Sequence, residues 1–335
     1  MRLLVTGTAG FIGFHLARRL LDDGHEVLGF DGLTDYYDVT LKQARHAELE
    51  RRNGFHPVIG MLEDLPLLQK SVAEFAPERV FHLAAQAGVR YSIEHPETYI
   101  SSNIVGTFHL LEALRAYPPK HLLFASTSSI YGANPDKPFS ETARTDFPLS
   151  VYAATKRGAE ALTHSYAHLF GIPTTCFRFF TVYGSWGRPD MALYKFVRAI
   201  EAGEPIDVYA EGKQTRDFTH VSDLIEGVVR LADTPPATGK PVGPIDSLSP
   251  VAPWRTVNIG GGAPHRLPDF IAEIERALGK RAIQHMVPAQ AGDVADTNAD
   301  PALLEALTGY RPRTPLSAGI AEFISWYRSH TASRR

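Results

Sequence analysis

The chain predicts an α/β fold, a doubly wound parallel sheet carrying a smaller, discontinuous C-terminal substrate lobe. Three observations predict it. Short apolar runs alternate with helix-length amphipathic segments through the first half of the chain, the rhythm of parallel strands joined by crossover helices. The first run, Arg2 to Thr6, opens directly into Gly7-Thr-Ala-Gly10-Phe-Ile-Gly13, and helical spacing follows. Past residue 183 the texture changes to loops, short strands and separated helices, so the second lobe is assembled from non-contiguous stretches.

Composition bounds the class. At 335 residues there is room for one large domain and a smaller appended lobe. The expected division gives residues 1–183 to the first domain, with 217–233 and 254–262 returning to it, and 184–216 with 263–330 to the second. Hydrophobic content of 44% and charged content of 21% are those of an ordinary globular protein. A net charge of -3 gives no reason to expect nucleic acid or an anionic membrane as partner. The single cysteine, Cys176, excludes an internal disulfide and suits a reducing compartment. No apolar run approaches the ~20 residues of a membrane span, and strand-like sequence begins right after Met1. A cytoplasmic protein is expected. No His/Cys/Asp cluster has metal-ligand spacing.

In chain order, Phe14 to Asp22 shows helical spacing through Leu16, Leu20 and Leu21, and Gly24 closes it. Strand, glycine turn and helix together make a dinucleotide site of Rossmann-like form. Gly7 and Gly10 allow a tight turn and close approach of a pyrophosphate, which sits at the helix N-terminus by Phe11 and Ile12. Gly13 lets helix and strand pack closely. Glu26 to Phe30 is the second strand, ending in Asp31, whose carboxylate suits an adenosine ribose and repels a 2′-phosphate. The expected cofactor is therefore NAD rather than NADP. Residues 32–53 hold Tyr36-Tyr37-Asp38 and a charged helical segment from Lys42 to Arg52. Lys42 could reach a cofactor phosphate or could lie on a solvated face.

Phe55 to Gly60 is a third strand, with Leu62-Glu63-Asp64 opening the next helix. Arg79 to Ala84 is a fourth, running into Ala84-Ala85-Gln86-Ala-Gly88-Val-Arg90, small residues against which a nicotinamide ribose could lie. Tyr99 to Leu114 is a long helix carrying Asn103, and His121 to Ala125 a buried strand ending in the hydroxyl turn Ser126-Thr127-Ser128-Ser129. Tyr152 and Lys156 follow, one turn apart on one helix face. A free tyrosine ionises near pH ~10, too high for a base at neutrality. The lysine ammonium is expected to stabilise the phenolate. Thr174 to Phe180 is another strand. Beyond it come a loop at 184–191, a helix from Ala192 to Glu201, a short strand Ile206 to Tyr209, and a helix ending near Ala232. A Pro/Gly/Ser-rich loop at 234–253 precedes a strand at Thr256 to Ile259 and a helix at Leu267 to Leu278.

Taken together, Thr6-Gly-Thr-Ala-Gly-Phe-Ile-Gly13, the Ser/Thr turn and the Tyr152/Lys156 pair resemble the extended short-chain dehydrogenase/reductase family, the NAD-dependent epimerases and dehydratases, over essentially the whole chain. Four further stretches resemble the UDP-glucuronate 4-epimerases within it: His82-Leu-Ala-Ala-Gln-Ala-Gly-Val-Arg-Tyr-Ser92, Arg178-Phe-Phe-Thr-Val-Tyr-Gly184, Trp186-Gly-Arg-Pro-Asp-Met191 and Arg216-Asp-Phe-Thr219. The resemblance implies reversible epimerisation of UDP-glucuronate to UDP-galacturonate through a transient 4-ketone, with tightly bound NAD. It makes Tyr152 the base for the sugar 4-hydroxyl, Lys156 a holder of the nicotinamide ribose, Thr127 the group that orients the 4-oxygen, and Asn103 a cofactor-side support.

A 4-keto uronate is a β-keto acid, so its carboxylate needs firm holding. Thr181 is the first residue implied for that contact, then Ser128 and Ser129, with Arg188 as a further one. Arg188 and Arg216 could instead grip the diphosphate. Arg90 and Met191 join the sugar-nucleotide set, and Asp293 would contact the uridine ribose. A homodimer is implied, with helices around 103–116 and 152–169 as its face. Two departures stand out. Met61 replaces an acidic residue that reads adenine, leaving that task to the backbone near Leu62 or to Asp64. Gln290 stands where many relatives carry a phosphate-binding arginine.

Rival chemistries on the same fold fit less well. A 4,6-dehydratase needs an Asp-Glu pair where Ser128 and Ser129 stand, and a uronate decarboxylase a glutamate at the second. A UDP-glucose/UDP-galactose 4-epimerase is opposed mainly by Thr181 and the 186–191 loop. A non-catalytic NAD-sensing regulator would commonly lose Tyr152 or Lys156, and both are present.

Overall fold

A computed structural model describes residues 1–289, 294 and 296–332. Its centre is a seven-stranded, all-parallel sheet. Strands β1 (Arg2–Thr6), β2 (Glu26–Asp31), β3 (Phe55–Ile59), β4 (Arg79–His82), β5 (His121–Thr127) and β6 (Thr174–Phe179) are joined by Trp254–Ile259. Across the sheet the order is 254–259, β6, β5, β4, β1, β2, β3. The chain winds outward from β1 to β3, then returns to β4 on the other side of β1. The crevice at that reversal, outside the carboxyl ends of the strands, is where such sheets bind ligands. Central strands covered on both faces read as near-continuous apolar runs, and all seven residues of β5 are buried.

Helices are set by local signals. α1 (Phe11–Asp22) follows Gly10 directly, three residues earlier than its apolar spacing predicts, because Phe11, Gly13 and Phe14 are buried too. α2 (Val39–Glu50) begins where the Asp38 carboxylate accepts from Thr40 N at 2.9 Å. In α3 (Leu65–Phe75) Asp64 caps Leu67 N at 3.0 Å, so the expected Leu62 start shifts to Leu65. Helix 151–170 starts at a Ser150 cap and stops at Gly171, whose φ is +67°.

The expected long helix from Tyr99 to Leu114 is broken. A short α-helix at Pro96–Tyr99 runs into a π-helical segment at Ile100–Val105, and regular α-helix resumes at Gly106–Ala116. The cause is visible at Asn103, whose side chain turns to hydrogen-bond the 86 backbone and Thr155.

The remaining chain forms two small sheets. Thr181–Tyr183 pairs in parallel with Thr215–His220, which pairs antiparallel with Pro264–Arg266, and Pro205–Tyr209 pairs with Ile283–Val287. Of these, only the strand near 206–209 is evident in sequence: Thr181–Tyr183 and Pro264–Arg266 are three residues long and leave no periodicity, and Thr215–His220 and Ile283–Val287 are rich in polar residues. A separate core of Leu193, Phe196, Ile206, Val208, Phe270, Phe323 and neighbours holds this part together. Within it Phe218 and Phe270 stack with ring centroids 4.3 Å apart.

Candidate functional site

A cleft open to solvent runs along the carboxyl edge of the sheet. Its floor is the turn after β1. Gly7 sits at φ +82°, and a Cβ there would lie 2.8 Å from Ala84 N, while one on Gly13 would lie 2.0 Å from the Gly7 carbonyl oxygen. Only glycine fits at either place. At the end of β2, Asp31 accepts from Ala9 N and Leu33 N, both at 2.8 Å, which ties the glycine turn to the second strand. Each carboxylate oxygen keeps a further lone pair for a ligand hydroxyl.

The opposite flank follows β4. Leu83 N and Ala84 N both donate to the Thr6 hydroxyl at 3.1 Å, so Thr6 must give its own proton to His82 Nδ1, 2.8 Å away. His82 then donates from Nε2 to Thr107, and burial drops its pKa to about 3, consistent with a neutral ring. One residue further, Asn103 accepts from Gln86 N at 2.8 Å and donates to Gln86 O at 3.1 Å. Ala84, Ala85 and Gln86 are thereby fixed as one wall.

The far end of the cleft belongs to helix 151–170. Tyr152 is 8% exposed and Lys156 4%. Thr127, at the end of β5, donates to Ser129 Oγ and accepts from Ser129 N, both at 3.2 Å, and its hydroxyl is near enough to the Tyr152 phenol to favour the phenolate. The electrostatics differ from the sequence expectation. Burial outweighs every charge here, raising the Tyr152 phenol above its ordinary value, with the Thr127 hydrogen bond and Arg188 pulling it back down. Burial likewise lowers Lys156 to about 8, opposed by Cys176 and Glu160, and its ammonium lies 4.2 Å from the Phe124 ring centroid. The expected direct lowering of the tyrosine by the lysine is therefore not the dominant influence.

Beneath this end lies a fully buried network. Arg178 donates to both oxygens of Glu160, at 3.0 and 2.9 Å, and to Tyr131 Oη at 3.1 Å. Tyr131 donates to Asn258 at 2.6 Å, and the Asn258 amide donates to Glu141, which burial pushes up to about 7. Adjacent strands β6 and 254–259 are thus locked to the catalytic helix.

The 184–191 loop closes the cleft from the second lobe. Arg188 pairs with both oxygens of Asp190, and Tyr36 donates to the same carboxylate at 3.1 Å. His15 Nε2 donates to Ser185 O at 2.7 Å, and Arg45 donates to Trp186 O at 2.6 Å.

Among the expected cofactor residues, Gly7, Gly10, Phe11, Ile12, Gly13, Asp31, Lys42, Leu62, Ala84, Ala85, Gln86, Tyr152 and Lys156 line this one cleft, and Asn103 braces it from behind. Lys42 is buried rather than solvated, donating to Thr34 Oγ1 at 3.0 Å and lying over the Tyr37 ring. Of the expected substrate residues, Arg188 and Met191 line the cleft, and Thr181 joins them in a small adjoining apolar cavity. Thr127, Ser128 and Ser129 stand together at the β5 turn. These three adjoin the cleft lining without belonging to it, and two further residues stand apart. Arg90 is exposed and lies over the Tyr209 ring, and Arg216 donates to Thr215 O and Gln214. Arg188, expected to meet a carboxylate of the ligand, already has the Asp190 carboxylate as partner. Asp293 and Gln290 lie outside the described residues.

Sequence reading missed Tyr36, Arg45, Asp190 and Glu63, whose Oε1 accepts from Ser101 and Ser102. Arg45 left a signal: Leu41, Arg45 and Leu49 recur every fourth residue, all three buried. Among the described residues no group of acidic, His and Cys side chains could hold a metal ion, and no helix is long and apolar enough to cross a membrane.

A glycine turn closed to side chains, a carboxylate after β2 and a wall of small residues fit a dinucleotide. Comparison with known proteins agrees. Residues 3–243 match the model of the NAD dependent epimerase/dehydratase family. A probable UDP-glucuronate 4-epimerase of Rhizobium meliloti is 56% identical, covering 99% of both chains. The structure of UDP-glucuronic acid 4-epimerase from Bacillus cereus, in complex with UDP-glucuronic acid and NAD, superposes with a TM-score of 0.86 at 32% identity, over 98% of this chain and 100% of that one. A tyrosine-to-phenylalanine mutant of the Bacillus cereus enzyme, with UDP-4-deoxy-4-fluoro-glucuronic acid and NAD, superposes at 0.85 and 32%, with coverage of 98% and 100%.

Proposed function

The chain belongs to the NAD dependent epimerase/dehydratase family, and from that premise we infer that its own residues carry out C4 epimerisation of UDP-glucuronate to UDP-galacturonate. The observation that carries this reading is a buried Tyr152, with the Thr127 hydroxyl near it and Lys156 one turn away, at the end of the cleft opposite Asp31. Bound NAD supplies reversible hydride acceptance at C4. Tyr152 takes the 4-hydroxyl proton in the forward direction and returns it on either face, so the net reaction consumes neither proton nor cofactor. Thr127 holds the 4-oxygen against Tyr152 through a hydroxyl that is already oriented. Lys156, with a pKa of about 8, is mostly charged at neutral pH and is assigned to hold the nicotinamide ribose.

Thr181, Ser128 and Ser129 present hydroxyls to the sugar, and we assign the carboxylate to them. Arg188 acts beside them with its charge matched by Asp190, which lowers its worth as a direct partner for a second anion. Arg216 and Asp293 are assigned to the nucleotide end. The domain division proposed from sequence, with 217–233 and 254–262 returning to the cofactor half, is supported by the place of 254–259 in the large sheet. A homodimer through helices 106–116 and 151–170 is supported by Phe108 and Leu169, which are 41% and 66% exposed. The lone buried Cys176 supports a cytoplasmic setting.

The test is incubation with UDP-glucuronate alone, followed by NMR of the sugar nucleotides. UDP-galacturonate rising to equilibrium without UDP-pentose is the expected result. Turnover of UDP-glucose with UDP-glucuronate untouched would overturn the substrate assignment. Tyr152→Phe is expected to lower the rate by about 10² to 10⁴ while NAD stays bound.

A further inference from the structure

Arg45 is the largest fully buried side chain in the molecule among the described residues, at 0% exposure. Its guanidinium donates to Ala9 O at 2.8 Å, Tyr37 Oη at 2.7 Å and Trp186 O at 2.6 Å, and its Nε has no partner. All three acceptors are neutral. Taking a cation out of water costs several kcal/mol unless an opposite charge offsets it, and among the described residues no carboxylate forms a salt bridge with Arg45. Burial accordingly depresses its pKa, and Arg188 depresses it further.

The acidic groups near it do not reach it by contact. Lys42, one turn earlier on α2, is also buried, and its ammonium meets Thr34 and the Tyr37 ring rather than an acid. Arg188 is matched by Asp190. Asp31 and Asp35 act on Lys42 and Asp31 acts on Arg45, but neither carboxylate forms an ion pair with Arg45, and the Asp31 oxygens already accept from Ala9 N and Leu33 N. Ala9 itself lies in the turn between Gly7 and Gly10, immediately ahead of the N-terminal end of α1.

We propose that Arg45 is a cofactor-retention residue: held behind the glycine turn, it is the counter-charge for the diphosphate of NAD and links that occupancy to the 184–191 loop through Trp186 O. It positions the turn that binds the ligand, and among the described residues no anion of the protein forms an ion pair with it. The proposal rests on the NAD reading above. Two consequences follow: the diphosphate-free protein carries a buried charge that no anion contacts, and filling the site tightens the loop over the sugar pocket.

The test uses wild type, Arg45→Met and Arg45→Lys, each stripped of nucleotide, with NAD, ADP and adenosine as titrants in calorimetry. The NAD content of each protein as purified is measured in parallel. Arg45→Met is expected to lose NAD and ADP affinity about 10- to 100-fold, the range of an indirect coupling, with adenosine binding unchanged. Stripped Arg45→Met should unfold no earlier than stripped wild type and gain less from NAD. Arg45→Lys should retain a preference for ADP over adenosine, and keeps the proposal testable if the methionine variant does not fold. Equal NAD binding by wild type and Arg45→Met would overturn the proposal, as would a parallel loss of adenosine. Failure of wild type to bind NAD would instead overturn the cofactor reading itself.

Discussion

Of the three arginines buried among the described residues, Arg45, Arg178 and Arg255, the first two are satisfied in opposite ways within the same cofactor half. Arg178 meets both oxygens of Glu160 beneath the catalytic helix. Arg45, behind the glycine turn, meets only carbonyls and a phenol. An arginine that serves architecture brings its anion with it from the same chain. One that serves a ligand leaves that place to the ligand. The contrast separates the rigid end of the cleft, where proton transfer needs fixed groups, from the end where occupancy itself completes the structure.

The largest effect that tests this contrast is Glu160→Gln. It leaves Arg178 buried without its counter-charge and should cost about 3–5 kcal/mol of stability, by the same amount with and without saturating NAD. Urea denaturation of both forms measures it. Recovery of that loss by NAD would erase the distinction between the two arginines.

Acid sharpens it next. Burial drops both His15, which lies near Arg45, and His82, which lies near Lys156, from 6.5 to about 3. As pH falls through 6.5 the unfolded chain takes up these protons and the folded one does not. The stability they contribute is therefore full above pH 6.5 and is lost as pH falls toward 3. At pH 5 the loss is about 2 kcal/mol for each. Unfolding followed from pH 7 to 4 should show it, and His15→Gln should remove one proton from the slope. In Arg45→Met the His15 share should shrink, because one of the like charges that keep that ring neutral is gone.

The smallest effect expected is Tyr36→Phe. It removes one hydrogen bond to Asp190 and should cost about 0.5–1.5 kcal/mol. Because that bond joins the turn after β2 to the second lobe, the loss should appear as faster amide exchange in 184–191 rather than across the sheet. Uniform loss of protection would place Tyr36 with the architecture instead.

What sequence could and could not disclose follows the same division. Gly7, Gly13 and Asp31 are legible because each requirement is local: a positive φ, a missing Cβ, an acid at a strand end. Tyr152 and Lys156 are legible because helical spacing alone puts them together. Arg45 is hidden by α2, whose composition is that of a solvated helix although its Arg45 stripe faces inward. Arg188 is visible, but its pairing with Asp190 is not, since nothing in Arg188-Pro-Asp190 says whether the carboxylate turns back or outward. The π-helical step at Asn103 is hidden for a related reason: it is forced by the 86 backbone, far away in sequence.

The late arrival of Trp254–Ile259 beside β6 carries a consequence for biosynthesis. In the finished protein this strand covers the outer edge of β6 from Thr174 to Phe179 along its whole length. During translation some seventy residues must emerge between the two, and throughout that interval the β6 edge presents unpaired amides and carbonyls. Asn258, the acceptor for Tyr131, comes off the ribosome in that same late segment. The nascent chain is thus most open to wrong pairing at the moment its nucleotide site is otherwise complete, a hazard that a holdase at the ribosomal exit would relieve.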